Sequence, residues 1–281
     1  MSSAAPRRRF TKMHGAGNDF VLLDLRDGTP PPSPAELVRM ADRHRGIGFD
    51  QLLALGPPAT PGALAAYRIW NADGSPAGQC GNGARCVAAW LRREGSATAP
   101  RFRLDGPAGT VEAEALDDGG FALDMGRPRF APAEVPLRLD GPGPEHTLDS
   151  PWGELRFGAV SMGNPHAVLE VADPAAIDHA GIARWLQAQA VFSEGVNVGF
   201  ARVLDAGHIA LRVHERGVGE TLACGSGACA AVAVLARRGR VGRRVAVDLP
   251  GGRLCIDWPA DDAPLRMSGP AVFVFEGEWL P

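Results

Sequence analysis

"CGNGARCVAAWLRREG" occupies Cys80–Gly95 and "CGSGACAAVAVLARRG" occupies Cys224–Gly239. Each opens on a cysteine in a glycine turn, continues as an Ala/Val/Leu run and closes on arginines and a glycine. That order predicts a helix with a favourable basic last turn and a glycine stop. The stems "CVAAWL" and "CAAVAVLA" are apolar nearly all round, so each helix is expected to be buried with a cysteine at its N-terminus.

The echo extends outward on both sides. "RIWNADGSPAGQCGNG" from Arg68 matches "RVHERGVGETLACGSG" from Arg212, at the same offset of 144 positions (224 − 80). "LDGPAGTVEAEA" from Leu104 resembles "VDLPGGRLCIDW" from Val247, and "LDMGRP" from Leu123 resembles "LRMSGP" from Leu265. Nearer the start of each half, "MHGAGNDFVLLD" from Met13 faces "MGNPHAVLEV" from Met162. One half reads as a diverged copy of the other, not as a short-period solenoid. "YRIW", "RFRL", "TVEAEAL", "FALDM", "IALRVHE", "RVAVDL" and "RLCIDW" are partly alternating runs between Gly/Pro/Asp turns and predict strands. The expected fold is α+β, with two pseudo-symmetric domains, each wrapping strands around a central helix. The proline-rich segment Arg127–Glu145 contains the expected boundary.

Bulk composition narrows the classes. The 281 residues carry a net charge of −3, which leaves no basic surplus for a nucleic-acid partner. The one basic run, "RRRF" at Arg7–Phe10, reads as a solvated N-terminal tail. No apolar stretch approaches a membrane span, and "MSSAAPRRRF" has no secretory h-region. Five cysteines without a C-x-x-C pair disfavour a disulfide framework and a zinc site, so no metal is expected and a reducing cytoplasm fits best.

A thiol at a helix N-terminus ionises below its usual ~8.5. The turns Gly81–Asn82 and Gly225–Ser226 can aim backbone N–H groups at a carboxylate. Two such sites related by duplication suggest Cys80 and Cys224 approaching one substrate carbon from opposite faces. One thiolate would remove a Cα proton while the other thiol delivers one, with the helix N-termini stabilising the carboxylate. Cys86, Cys229 and Cys255, in apolar helix stems and a strand, read as buried small hydrophobes. "GSGACA" at Gly225–Ala230 formally fits a dinucleotide fingerprint, but "ETLAC" is a poor preceding strand and no acidic residue follows at the ribose-binding distance. Lys12, the single lysine, has no local feature of a Schiff-base residue, so a cofactor-free route is favoured.

The chain has only five asparagines, and all lie in glycine-rich signature segments: Asn18, Asn71, Asn82, Asn164 and Asn197. Any one suits a turn; together they suit amides binding the amino and carboxylate groups of a polar substrate. Arg216 offers a bidentate clamp for a second carboxylate. Glu215 aligns with Asn71, so the copies diverge where an asymmetric substrate would require it. His166, after "GNP", reads either as a loop histidine or as a group that tunes a thiol.

"KMHGAGNDF", "NADGSPAGQCGNGARC", "MGNPHAV", "FSEGVNVGF" and "HERGVGETLACGSGACA" together closely resemble the diaminopimelate epimerase family, in order and over nearly the whole chain. The resemblance implies a pyridoxal-independent isomerase interconverting LL- and meso-diaminopimelate, on the route to lysine and peptidoglycan. It implies an active site in the cleft between two domains, residues 1–127 with 270–281 and residues 128–269, and a homodimer. Carried over by motif, Cys80 and Cys224 are the acid/base pair, and His166 and Glu215 influence their ionisation. Asn18, Gln51, Asn71, Asn164, Asn197, Glu215 and Arg216 contact substrate, and Gly81–Asn82 and Gly225–Ser226 bind its reacting carboxylate. Gln51 is selected by the "GFDQ" match alone. Two departures, Ala167 after "NPH" and Ser226 where threonine is common, touch no assigned catalytic role. Two alternatives stay open: a proline or hydroxyproline racemase with the same thiol chemistry, and a ligand-binding or redox protein whose two cysteines form a regulatory disulfide.

Overall fold

The duplication in the sequence reappears as a duplication in strand order. The structure, a computed structural model, describes residues 7–139 and 145–280; residues 140–144 of the expected boundary segment lie outside them. The chain forms two compact units, Met1–Leu123 with Gly269–Pro281, and Asp124–Ser268.

The first run of elements is β1 (Arg8–Gly15), β2 (Asn18–Asp24), α1 (Pro34–Ala41), β3 (Gln51–Gly56), β4 (Ala63–Asn71), β5 (Pro76–Ala77), α2 (Gly81–Arg93), β6 (Arg101–Gly106), β7 (Gly109–Ala115) and β8 (Phe121–Asp124). The second is β9 (His146–Ser150), β10 (Gly153–Ser161), β11 (Pro165–Glu170), α3 (His179–Gln187), β12 (Asn197–Asp205), β13 (His208–Glu215), β14 (Gly219–Thr221), α4 (Gly225–Arg237), β15 (Arg244–Leu249), β16 (Gly252–Asp257) and β17 (Arg266–Gly269). The last strand, β18 (Val272–Trp279), returns to the first unit and pairs antiparallel with β1.

In the first unit the strands therefore lie in the order β18-β1-β2-β3-β4-β6-β7-β8. In the second the order is β9-β10-β11-β12-β13-β15-β16-β17, and the parallel pairs fall at the same places. Parallel neighbours need a long crossover. In each unit one crossover carries the short helix (α1 or α3) and the other carries the cysteine helix (α2 or α4).

The pleat explains how both helices of a unit find apolar ground. Side chains alternate faces along a strand, so Val21, Leu23 and Leu52 join Leu37 and Met40 of α1 in one cluster. Phe20 and Leu53 point the other way, to the first turn of α2. In the second unit Phe157, Leu169 and Phe200 cluster with Ile182 and Leu186 of α3. The stems of α2 and α4 are buried as expected, and Gly95 and Gly239 stop them with φ of 77° and 67°. Among the described residues no helix is long and apolar enough to cross a membrane.

The basic run at Arg7–Phe10 is not a solvated tail. Arg8 and Phe10 are buried in β1. Arg8 Nε and Nη2 donate to the two oxygens of Glu36 in α1 at 2.9 and 3.3 Å, and Nη1 donates to the Pro30 carbonyl at 2.8 Å. A buried guanidinium is tolerated when its donors are met in this way.

Candidate active site

Each helix begins on a cysteine in extended conformation that caps its own first turn. Cys80 Sγ accepts from Gly83 N–H at 3.4 Å, and Cys224 Sγ from Gly227 N–H at 3.3 Å. The third residue has to be small. A Cβ on Gly227 would meet Val213 Cγ2 at 3.0 Å and the Cys224 sulfur at 3.2 Å, and one on Gly83 would meet Leu53 Cδ2 at 3.0 Å. The leading N–H groups of a helix have no intrahelical acceptor, so Gly81–Asn82 and Gly225–Ser226 stand where an anion is favoured.

The remaining expected residues sit at strand ends, and one of them, Asn18, reaches a thiol. In the first unit Asn18 opens β2, Gln51 opens β3 and Asn71 closes β4. Cys80 Sγ lies 3.8 Å from Asn18 Oδ1, and Asn82 Nδ2 reaches the same oxygen at 3.4 Å. Gln51 Nε2 donates to Asn71 Oδ1 at 3.0 Å, and Asn71 Nδ2 donates to Ser75 Oγ at 3.1 Å. Among the described residues Gln51 Oε1 is a buried acceptor with no hydrogen-bond partner.

The second unit repeats the plan with changed residues. Asn164 immediately precedes β11, Asn197 opens β12 and Glu215 closes β13. Ser226 Oγ is 3.5 Å from Cys224 Sγ and 3.4 Å from Asn164 Nδ2, while Asn164 Oδ1 faces His166 Nε2 at 3.0 Å. Asn197 works on the backbone: Nδ2 donates to the Pro165 carbonyl at 3.1 Å, and Oδ1 accepts from Arg216 N–H at 2.9 Å. Glu215 Oε1 accepts from Thr221 Oγ1 at 2.7 Å, and Arg216 Nη1 donates to the Glu194 carbonyl.

His166 is 1% exposed, and burial pushes its pKa down to about 3, so it is neutral at ordinary pH. Between about 3 and the ordinary 6.5 the unfolded chain holds a proton that the folded chain refuses. Folding stability is therefore full above pH 6.5 and declines as pH falls through that window. His146 and His214, also lowered by burial, act in the same direction. Urea unfolding at pH 4.5 and 7.5 should give a smaller difference in midpoint for His166→Gln than for the unmodified chain.

Two sequence signals carried less than the structure uses. Asp50 accepts from Asn18 Nδ2 at 2.9 Å, and the fully buried Arg85 donates through Nη2 to Asn82 Oδ1 at 2.9 Å. Neither was a candidate, although both lie inside motifs already singled out, "GFDQ" and "CGNGARC". Cys86 and Cys229 are buried as expected, and Cys255 is half-buried. Lys12 is buried and donates to Asp19 Oδ2 at 2.5 Å and to the Gly48 carbonyl. His179, His214 and Glu220 bring ligand-type atoms within 4.8 Å of one another. Arg212 bonds both outer members of that group, His179 Nε2 at 3.0 Å and Glu220 Oε1 at 2.8 Å.

The diaminopimelate epimerase family profile matches residues 10–131 and 158–274. A diaminopimelate epimerase of Xanthomonas axonopodis pv. citri is 59% identical over 276 residues, covering 97% of this chain and 96% of the relative. An O-ureido-serine racemase of Streptomyces lavendulae is 56% identical over 274 residues, covering 96% and 95%. A hydroxyproline epimerase structure from Agrobacterium vitis superposes with a TM-score of 0.70 at 17% identity, covering 97% of this chain and 92% of that one. A PhzF-family phenazine biosynthesis protein of Bacillus anthracis gives 0.70 at 15% identity, covering 99% and 100%. These two establish the shared fold alone. By its profile match and its full-length identity to curated members, the chain belongs to the diaminopimelate epimerase family.

Proposed function

We propose that the chain is an isomerase that interconverts LL- and meso-diaminopimelate without a cofactor, supplying lysine and peptidoglycan precursors. The observation that carries the reading is the pair of cysteines, each capping the central helix of one copy of a duplicated topology. One thiolate abstracts the Cα proton and becomes a thiol; the other thiol delivers its proton to the opposite face and becomes a thiolate. The charge that develops on the reacting carboxylate is met by the N–H groups of Gly81–Asn82 and Gly225–Ser226. His166 and Glu215 act on the ionisation of the pair. Asn18, Gln51, Asn71, Asn164, Asn197, Glu215 and Arg216 hold the substrate, and the orphaned Gln51 Oε1 favours a donor such as a substrate ammonium. Arg216 fits the distal carboxylate of a substrate charged at both ends.

The test is incubation of reduced protein with LL-diaminopimelate in D2O and no added cofactor. Meso product with deuterium at the inverted carbon supports the reading; neither inversion nor exchange overturns it. The Streptomyces relative favours a second reading, racemisation of an amino acid with a neutral ureido end. A site built for a charged distal group leaves buried polar atoms unmet by a neutral one, so kcat/KM for diaminopimelate should exceed that for O-ureido-serine by about 10²-fold or more. The reverse ratio selects the racemase.

Cysteines in the reduced state fit a cytoplasmic enzyme. The acting partner is the small-molecule substrate, with neither nucleic acid nor membrane involved. A homodimer is supported by β18, whose Val272 and Val274 are exposed apolar residues on a strand at the end of the first unit's strand order. Val274→Asp should lower the mass seen by light scattering from two chains to one.

A further inference from the structure

Four side chains around the turn between β4 and β5 form a hydrogen-bonded row whose direction is set at one end by a charge. Ser75 donates its hydroxyl to Asp73 Oδ1 at 2.6 Å, and its backbone N–H donates to the same oxygen at 2.9 Å. These two bonds, the hydroxyl's first, hold the Asp73 carboxyl below the usual carboxylate range, so at neutral pH it only accepts. A hydroxyl has one proton. With that proton on Asp73, Ser75 Oγ can only accept, and the group facing it at 3.1 Å must be the amino end of Asn71, Nδ2. Asn71 Oδ1 is thereby turned to Gln51, its neighbour across β3 and β4, and accepts from Nε2 at 3.0 Å. The choice made at Asp73 is passed along the row to Gln51 Oε1. That oxygen is buried and has no hydrogen-bond partner among the described residues.

An acceptor fixed in this way selects N–H. Were the row reversed, Gln51 would show its amino end at the same place and would suit a carboxylate. Among the described residues none of the four bonds Cys80 or the Gly81–Asn82 turn, so the acceptor stands away from the reacting carbon. Asp50, next to Gln51 in the chain, gives its oxygens to Asn18 Nδ2, Asp19 N–H and Arg43 and takes no part in the row. The duplicated half solves the same problem differently. Glu215 stands at the place of Asn71, and at the same offset of 144 positions Gly217 and Gly219 replace Asp73 and Ser75. A carboxylate accepts through either oxygen and needs no neighbour to choose its polarity. The charge-anchored row is present in the half with an amide and missing at those positions in the half with a carboxylate.

We propose that Asp73 and Ser75 are positioning residues that fix the polarity of the Asn71–Gln51 amide pair, so that Gln51 Oε1 receives the ammonium at the end of the substrate remote from the reacting carbon. The proposal rests on the epimerase reading and adds two residues that act on specificity through Asn71 and Gln51.

The test compares two substrates in D2O, diaminopimelate and 2-aminopimelate, the same carbon chain with hydrogen in place of the distal ammonium. In the unmodified chain the analogue leaves Gln51 Oε1 unmet, so kcat/KM should favour diaminopimelate by about 10²-fold or more. Ser75→Ala frees both amides to turn. KM for diaminopimelate should then rise about tenfold with kcat changed less than about twofold, while 2-aminopimelate keeps its kcat/KM, so the preference shrinks. Ser75→Thr keeps the hydroxyl and should keep the preference. Gln51→Glu added to Ser75→Ala copies the second half, an acceptor without a row, and should restore it. Cys86, fully buried in α2, resists iodoacetamide while the first unit is folded. If Ser75→Ala exposes it, Asp73→Ala breaks the row at its charged end and carries the same expectation. A loss shared equally by both substrates, or an unchanged preference, overturns the proposal, and so does a double variant that stays unselective. Failure of the epimerase reading is distinct, since the unmodified chain would then neither invert diaminopimelate nor exchange its Cα proton.

Discussion

Replacing either Cys80 or Cys224 with alanine should lower epimerisation at least about a thousandfold while the chain still folds. Loss of a positioned acid or base typically removes ~10² to 10⁴ of rate, and inversion needs both groups in the same turnover. The fold should survive because the sulfur cap that each thiol gives its helix is weak, worth at most about 1 kcal/mol. The two variants should also differ from each other. A surviving thiolate can still remove a proton and return deuterium from the same side, so each variant should wash out Cα–H from one stereoisomer only. Complementary washout, LL in one variant and meso in the other, is the signature of opposed thiols. Wild-type turnover in either variant would sink the two-base mechanism.

Glu36→Ala should destabilise the first unit by about 3–5 kcal/mol, because it strands a buried guanidinium. The side chains of Arg8 and Glu36 are 5% and 7% exposed, so water cannot take over the lost bonds. Arg8→Met combined with Glu36→Leu fills similar volume without charge and should recover most of that loss. Two of the buried thiols separate the units. Cys86 in α2 reports the first and Cys229 in α4 the second, so labelling during urea unfolding shows which half has opened. Cys86 should label at markedly lower urea in Glu36→Ala, with Cys229 changed less. Equal shifts at both thiols would contradict a defect confined to the first unit.

Much of the fold was legible because its signals are local. Alternation between turns marked β4, β6, β7, β8, β13, β15 and β16, and cysteine, apolar stem, arginines and glycine marked α2 and α4 from end to end. What stayed hidden depends on distant partners. Arg8 sits in a run of arginines that looks solvated until Glu36, 28 residues on, is packed against it. The candidate residues gather into two clusters, Asn18 with Asn82 and Cys80, and Asn164 with Ser226 and Cys224, but composition does not say which end of an amide faces a sulfur. In the first half that depends on Asp50, which accepts from Asn18 Nδ2; in the second, Asn164 sits between His166 and Ser226. Asp50 looks like a surface acid, and His166 looks like a loop histidine. Gln51 and Asn71 face each other across β3 and β4, a register that the sequence motifs separate by 20 positions.

The return of β18 to the first unit also sets an order of manufacture. Every strand from β9 to β16 belongs to one unbroken stretch, so the half carrying Cys224 can close its sheet while the chain is still being made. The half carrying Cys80 has to wait, because the strand beside β1 is made only after β2 to β17, and Arg8 meets Trp279 only then. Until then the long flank of β1 is an open edge, available to any other strand. A nascent chain paused just after β17 would therefore display one finished half and one unfinished half, with the scaffold of Cys80 still lacking its outer wall.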